Sequence, residues 1–210
     1  MTALVSCCAV QSGCSRFPEE KIPRMKLLIA DFDVPLGMKE NPKEVRGWWM
    51  GANSIYQNPR AGAMFAELVT KEVAPFSFVN LYSRVDLKYY FARKRQALKQ
   101  AYDYLGDDEL DTALARVPKI EYARELKADI LLSGHIVHNY LSENRTFHWW
   151  KSSAEIECEM TDVLSGQVQW KKKYKFKKRF ASQFTVQREI AGRLAGDLKR
   201  EYFKPMAKKP

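Results

Sequence analysis

Residues 154–176 constrain the fold more than any other stretch. Ala154, Ile156, Cys158 and Met160 alternate with Glu155, Glu157 and Glu159. Beyond Ser165-Gly166, Val168, Trp170, Tyr174 and Phe176 alternate with Gln169, Lys171, Lys173 and Lys175. A period of two sends successive side chains to opposite faces, so these are two strands, each with one apolar face. Charge fixes how they pair. A two-residue turn would set Glu157 against Tyr174 and Cys158 against Lys173, mixing the faces. A one-residue shift pairs Met160 with Trp170, Ile156 with Tyr174, and Glu159, Glu157 and Glu155 with Lys171, Lys173 and Lys175. That register predicts a three-residue loop, Leu164-Ser165-Gly166, with Gly166 left-handed in a bulge.

The rest of the chain supplies partners for this hairpin. Leu27 to Ala30 with Phe32 reads as a buried strand ended by Pro35. Residues 36–60, rich in Gly, Asn and Pro, read as a long loop. Phe65, Leu68, Val69 and Val73 give a helix over 61–73, and Phe76 to Leu81 a second strand. Ser83 and Asp86 have capping-box spacing and open a long helix, with Leu87, Phe91, Leu98, Ala101 and Leu105 on one stripe and Gly106 as its end. A short helix runs from Asp107 or Asp108 to about Val117, and another starts at Pro118. Asp129 to Leu141 reads as a central strand in which Gly134 marks a bulge or a close approach. Val186, Ile190, Leu194, Leu198 and Tyr202 stripe a last helix over 181–203, with Gly192 and Gly196 suited to close backbone contact. The order β-α-β-α-α-α-β-β-β-α predicts an α/β fold, a single mixed sheet with helices packed on it. The expected layout is a domain over 25–203, a Pro-containing linker over 15–24 and a basic tail over 204–210.

Composition narrows the function. The chain is 46% hydrophobic and 12% aromatic, too apolar for a disordered protein. Its apolar runs fall short of the roughly 20 residues of a membrane span, which excludes a polytopic membrane protein. The net charge of +10 is concentrated at the C-terminal end. Lys177, Lys178, Arg179, Arg188, Arg193, Lys199 and Arg200 form the expected basic surface, suited to phosphate, anionic lipid or an acidic partner. The run KKKYKFKKRF over 171–180 interleaves cations and rings as some single-strand nucleic-acid binders do. Tyr174 and Phe176 face inward in the register above, however, so nucleic acid is the alternative and not the expectation. Trp48-Trp49 and Trp149-Trp150 are doubled aromatics; strict alternation exposes one of Trp149 and Trp150 as a contact residue.

Enzyme signals are thin. Asp31 and Asp33 at the end of the first strand could hold Mg²⁺ in a haloacid-dehalogenase-like phosphatase. Pro35, however, stands where that pattern wants Thr or Val, and Gly106-Asp107-Asp108 sits at a helix start. Otherwise these carboxylates are turn and capping groups. His135 and His138, three apart on one strand, are expected on opposite faces, which disfavours a shared metal site; His148 stands apart. No phosphate-binding Gly loop or nucleophile elbow occurs. The sequence therefore predicts no catalytic residue, metal, cofactor or small-molecule substrate.

The N-terminus points elsewhere. Residues 1–14, MTALVSCCAVQSGC, are apolar and small and carry no charge. Leu4-Val5-Ser6-Cys7 looks like a lipobox, with Ser12-Gly13-Cys14 as a second candidate; the Cys thiol would carry the lipid. The missing positive n-region places the expected start upstream of Met1.

Three motifs then share a resemblance. Ala123-Arg-Glu-Leu-Lys-Ala-Asp129-Ile-Leu-Leu-Ser-Gly134, the hairpin Met160-Thr-Asp162-Val-Leu-Ser165-Gly166-Gln-Val168-Gln-Trp170 and the strand LLIADFDVP resemble the CsgG-type bacterial envelope lipoproteins. That family includes the curli secretion channel subunit, with the flagellar lipoprotein FlgO and the penicillin-binding-protein activator LpoB as related folds. The resemblance implies a CsgG-like, TolB N-terminal-like periplasmic domain on the outer membrane, anchored through Cys7 or Cys14. The resemblance further implies action on envelope proteins by contact and self-association into a ring. The connection 141–153 is too short for a membrane-spanning hairpin of about 9–11 residues per strand, so a secretion pore is not expected.

Overall fold

Leu27, Leu28, Ile29 and Ala30 are apolar without alternation, and the strand they form is enclosed on both faces and both edges. The computed structural model describes residues 24–41, 43–46, 53–144 and 146–204. The lipobox with Cys7 and Cys14, the linker, Trp48, Trp49 and the tail past Lys204 lie outside the described residues. Strand β1 (Met25–Ile29) pairs in parallel with β4 (Val79–Leu81) on one edge and β5 (Ile130–Asn144) on the other. Leu27 and Ile29 enter a core formed with α2 (Ala61–Val73) and α6 (Gln183–Asp197). Leu28 and Ala30 enter a second, smaller core with α3 (Arg84–Ala101) and α5 (Lys119–Glu125). Helices thus cover both faces around β1.

The length of β5 organises the rest. Its first residues pair with β1, Leu27 opposite Ile130 through Ile29 opposite Leu132. Further along the same edge, Tyr140 to Asn144 pair with β3 (Asn53–Gln57), which pairs in turn with β2 (Lys43–Arg46). The other edge of β5 is covered along its whole length by β6 (Trp149–Asp162), and β7 (Val168–Arg179) closes the sheet. The stretch 36–60 is therefore not one loop. It holds α1 (Leu36–Glu40), β2 and β3, whose strands exist because β5 outruns β1 and leaves ladder groups to satisfy. Likewise β5 continues to Asn144 and β6 starts at Trp149, so most of 141–153 is strand.

The β6–β7 register is the one the charges demand: Glu155, Glu157 and Glu159 stand opposite Lys175, Lys173 and Lys171. The turn differs. Gly166 is left-handed (φ 71°), but the connection runs from Val163 to Gln167. Asp162 holds it, its carboxylate accepting from the Ser165 N–H at 2.7 Å and Oγ at 2.8 Å. The extra residue is absorbed by a bulge at Gln169, because Met160 pairs with Trp170 and Thr161 with Val168. This turns Val168 outward, 52% exposed, against the inward face expected of it.

The helices need three corrections. Helix α3 stops at Ala101, and Gly106 instead caps α4 (Asp107–Ala115); within α3 only Leu87 is fully buried. The last helix has its expected stripe, Val186, Ile190, Leu194, Leu198 and Tyr202 all buried, but its end over Leu198–Phe203 is π-helical. Each fully buried aliphatic here contributes about 1.5–3 kcal/mol. Gly192 and Gly196 face open space, with no neighbour that a Cβ would meet within 4 Å. Gly134 does mark a close approach: a Cβ there would lie 2.0 Å from the Glu157 carbonyl oxygen and 2.8 Å from the Phe32 ring.

Candidate functional site

One face of β6 and β7 carries the Glu–Lys ladder. Lys173 Nζ lies 2.8 Å from Glu155 and 3.1 Å from Glu157; Lys175 Nζ lies 3.1 Å from Glu155. Hydrogen bonds from Lys173 and then Lys175 pull the Glu155 carboxyl down to about 2. Lys171 lies 3.7 Å from Glu157 and 3.9 Å from Glu159. The ladder then runs out of acids. At the end of the ladder face Ser153 and Lys151 stand across from Lys177 and Arg179, and on the core-side face buried Ser152 stands across from Lys178. These four cations make no ion pair among the described residues, and Lys151 faces Arg179, a like-charge pair that a sheet disfavours.

Exposed aromatics gather at this same end, where β5 turns into β6 and β7 runs into α6. Trp150 (41% exposed) and Phe180 (62%) pack edge to face at 5.0 Å, and the Phe180 N–H donates to the Trp150 carbonyl. Phe147 in the β5–β6 turn and Phe184 in the first turn of α6 are also exposed. His148 (φ 49°) and Phe180 (φ 52°) are left-handed non-glycine residues, a conformation that costs energy and tends to gather at functional places. Trp149 is half-buried, so of this pair Trp150 is the one turned out. The sequence marked Trp150 and the three cations. It missed Phe147, Phe180 and Phe184; the only available signal was the position of Phe180 directly after a cationic strand end.

The remaining expected basic residues lie elsewhere, so the basic region is not one surface. Arg193 pairs with Glu189 at 3.3 Å and lies over the Phe176 ring; Lys199 lies over Phe76; Arg200 pairs with Asp197 at 2.5 Å and Glu201 at 3.3 Å. Arg188 is exposed on α6. Lys172, on the core-side face of β7, bridges Asp197 at 2.8 Å and Glu201 at 2.9 Å, and its hydrogen bond draws the Glu201 carboxyl down to about 2.

Asp31 and Asp33 are brought to the end of β1 but not together as a reactive pair. Asp31 is paired with Arg84, which also donates to the Ile29 carbonyl at 3.2 Å; Asp33 is paired with Lys119 at 2.7 Å. Each carboxylate ties the start of a helix to the strand end. An open groove of about 620 Å³ beside them is lined by Asp33, Lys119, Ser133, His135 and Glu159 among others. His135 and His138 share a face, contrary to strict alternation, because Val137 is bulged out: His135 stands opposite Glu157 and His138 opposite Glu155. Lysines already occupy those glutamates, and no cluster of three metal-ligating side chains occurs among the described residues. No described helix is long and apolar enough to cross a membrane.

The fold defined here is a mixed α/β sheet with helices on both faces and one long central strand serving three partners. No protein-family model and no curated protein matches the chain. Among solved structures it is similar to a dodecamer of PelC, a single-substitution variant, from Paraburkholderia phytofirmans (TM-score 0.50, 12% identity, covering 83% of this chain and 89% of that one). Lipoprotein GNA1162 from Neisseria meningitidis (TM-score 0.45, 9% identity) covers 84% of this chain and 99% of its own. The LpoB C-terminal domain from Escherichia coli (TM-score 0.34, 16% identity) covers 72% and 82%. At such identity the PelC likeness speaks to the fold.

Proposed function

We propose that this chain is a non-enzymatic lipoprotein of the bacterial envelope. Acylated Cys7 or Cys14 holds it on the periplasmic face of the outer membrane, where it serves as a scaffold, ring component or regulator of an envelope assembly through protein contacts. The observation that carries this reading is a fold held in common with a protein that assembles as a dodecamer, joined to a lipobox-like Cys7. The pairing of Asp31 with Arg84 and Asp33 with Lys119 supports a structural role for the strand end over a Mg²⁺-dependent phosphatase. The CsgG-type motifs supply the finer expectation, without the pore-forming hairpins.

Intact mass and membrane fractionation of the protein expressed from its native locus test the anchor, and light scattering of the detergent-extracted protein tests the ring. A diacylglyceryl Cys and a closed oligomer are the expected results. An unmodified soluble monomer overturns the reading.

A further inference from the structure

We infer that the sheet end bearing Trp150, Phe180, Phe147 and Phe184, with Lys151, Lys177, Lys178 and Arg179, docks on an anionic lipid bilayer. This placement deepens the envelope reading and takes its choice of compartment from it.

Three observations carry it. First, the cations of β7 change character along one strand. Lys171, Lys172, Lys173 and Lys175 each meet a carboxylate, whereas Lys177, Lys178 and Arg179 meet Ser153, Ser152 and Lys151. None of these four cations is ion-paired among the described residues; Lys151, Lys177 and Arg179 project from the ladder face and Lys178 from the core-side face, so positive charge brackets the end of the sheet on both sides. Second, the rings beside them are exposed, Phe180 at 62% and Phe147 at 59%. Rings flanked by Lys and Arg match the headgroup boundary of a bilayer, where the ring enters the acyl margin and the cation stays with the phosphates. Third, Phe180 is left-handed, and His148 beside Phe147 and Trp149 is too. Glycine or asparagine would hold those turns with less strain. An aromatic kept there loses backbone stability and gains little burial within the chain.

The arrangement favours a lipid surface over a nucleic-acid strand. A strand binder keeps ring faces open along a groove for successive bases. Here Trp150 and Phe180 pack on each other at 87°, and the cations lie on both faces of the same sheet end.

The test uses the full chain with Cys7→Ser, Cys8→Ser and Cys14→Ser, so that no acyl chain contributes. Co-sedimentation is measured with phosphatidylglycerol/phosphatidylcholine vesicles, with phosphatidylcholine vesicles, and against a labelled single-stranded oligonucleotide. Anionic vesicles should bind about tenfold or more tightly than neutral ones, with salt weakening the binding. Trp150→Ala with Phe180→Gly, and separately Lys177→Glu with Lys178→Glu and Arg179→Glu, should each reduce binding about tenfold or more. Phe180→Gly alone removes the left-handed strain, so it should melt close to the parent while binding less well; this separates docking from misfolding. Lys88→Glu with Arg93→Glu, exposed on α3, should leave binding nearly unchanged.

Equal loss in the α3 variant, full binding by the Trp150/Phe180 variant, no binding to anionic vesicles, or tighter binding to the oligonucleotide each overturns the inference. None of these results touches the acylation and oligomer measurements that test the envelope reading.

Discussion

His135 and His138 face the same side of the sheet, opposite Glu157 and Glu155, because Val137 is an extra residue in β5. The bulge lets Ile136 stay in the core while Asn139 is also buried beyond it. Deleting Val137 restores strict alternation and forces one half of β5 to present its wrong face. A loss of more than about 3 kcal/mol in urea unfolding is expected, given the number of buried side chains displaced. A deletion variant as stable as the parent would remove the structural role assigned to the bulge.

Glu155 makes the chain sensitive to acid. Its carboxyl is held at about 2 in the folded state against an ordinary value of 4.5, first by the Lys173 hydrogen bond and then by that of Lys175. A depressed folded value means that the contribution is complete above the unfolded value and disappears as pH falls through the folded one. The stability difference between the parent and Glu155→Gln should hold steady from pH 7 to about 5 and shrink toward zero near pH 2. A difference independent of pH would contradict the ladder.

Gly134 has no room for a methyl group. Its Cβ would sit 2.0 Å from the backbone oxygen of Glu157, which the β5–β6 ladder holds in place. Gly134→Ala should cost about 3 kcal/mol or more, at the upper end of what overpacking does, since backbone and not a side-chain tip must move. Thermal melting of the variant measures it.

Cys158 is fully buried between Ile156 and Met160 along the core face of β6, and burial pushes its thiol up from the usual range. Thiolate is the reactive form, so native protein should resist alkylation at this position. In the variant lacking Cys7, Cys8 and Cys14, iodoacetamide labelling should appear only after denaturation. Fast labelling of the native protein would show that this part of the sheet opens.

Asp31→Asn separates a structural carboxylate from a catalytic one. The Arg84 pair is partly solvent-exposed, so its loss should cost no more than about 1 kcal/mol. Assayed with p-nitrophenyl phosphate and Mg²⁺, parent and variant should be alike and without turnover. Turnover by the parent that the variant abolishes would revive the phosphatase.

What the sequence revealed depended on how local the cause was. The β6–β7 register was readable because acids and bases alternate in both strands, so each wrong pairing is visibly wrong. The strands in 36–60 were not readable. Lys43–Arg46 and Asn53–Gln57 are short, sit among turn-forming residues, and owe their order to the far half of β5. The far half of β5 and the start of β6 were equally hard to read, because their enclosed residues include Asn139 and Asn144 in β5 and Ser152 and Ser153 in β6 and so lack an apolar signature. At the candidate site, the absence of acids opposite Lys177, Lys178 and Arg179 could be foreseen from the register. Phe147 and Phe184 could not, because what unites them with Trp150 is the meeting of two turns and a helix start. The partners of Asp31, Asp33 and Lys172 lie in distant segments and required the fold.

The parallel pairing of β1 with β5 also sets a leash length. Met25 opens β1 at the end of the sheet opposite Asn144, and the strand between them measures about 50 Å at roughly 3.3 Å per residue. Fully stretched, the chain from Cys14 to Met25 covers about 40 Å, and that from Cys7 about 65 Å. If the proposed acyl anchor and the proposed aromatic docking end share one bilayer, Cys7, with the longer reach, suits that geometry better than Cys14.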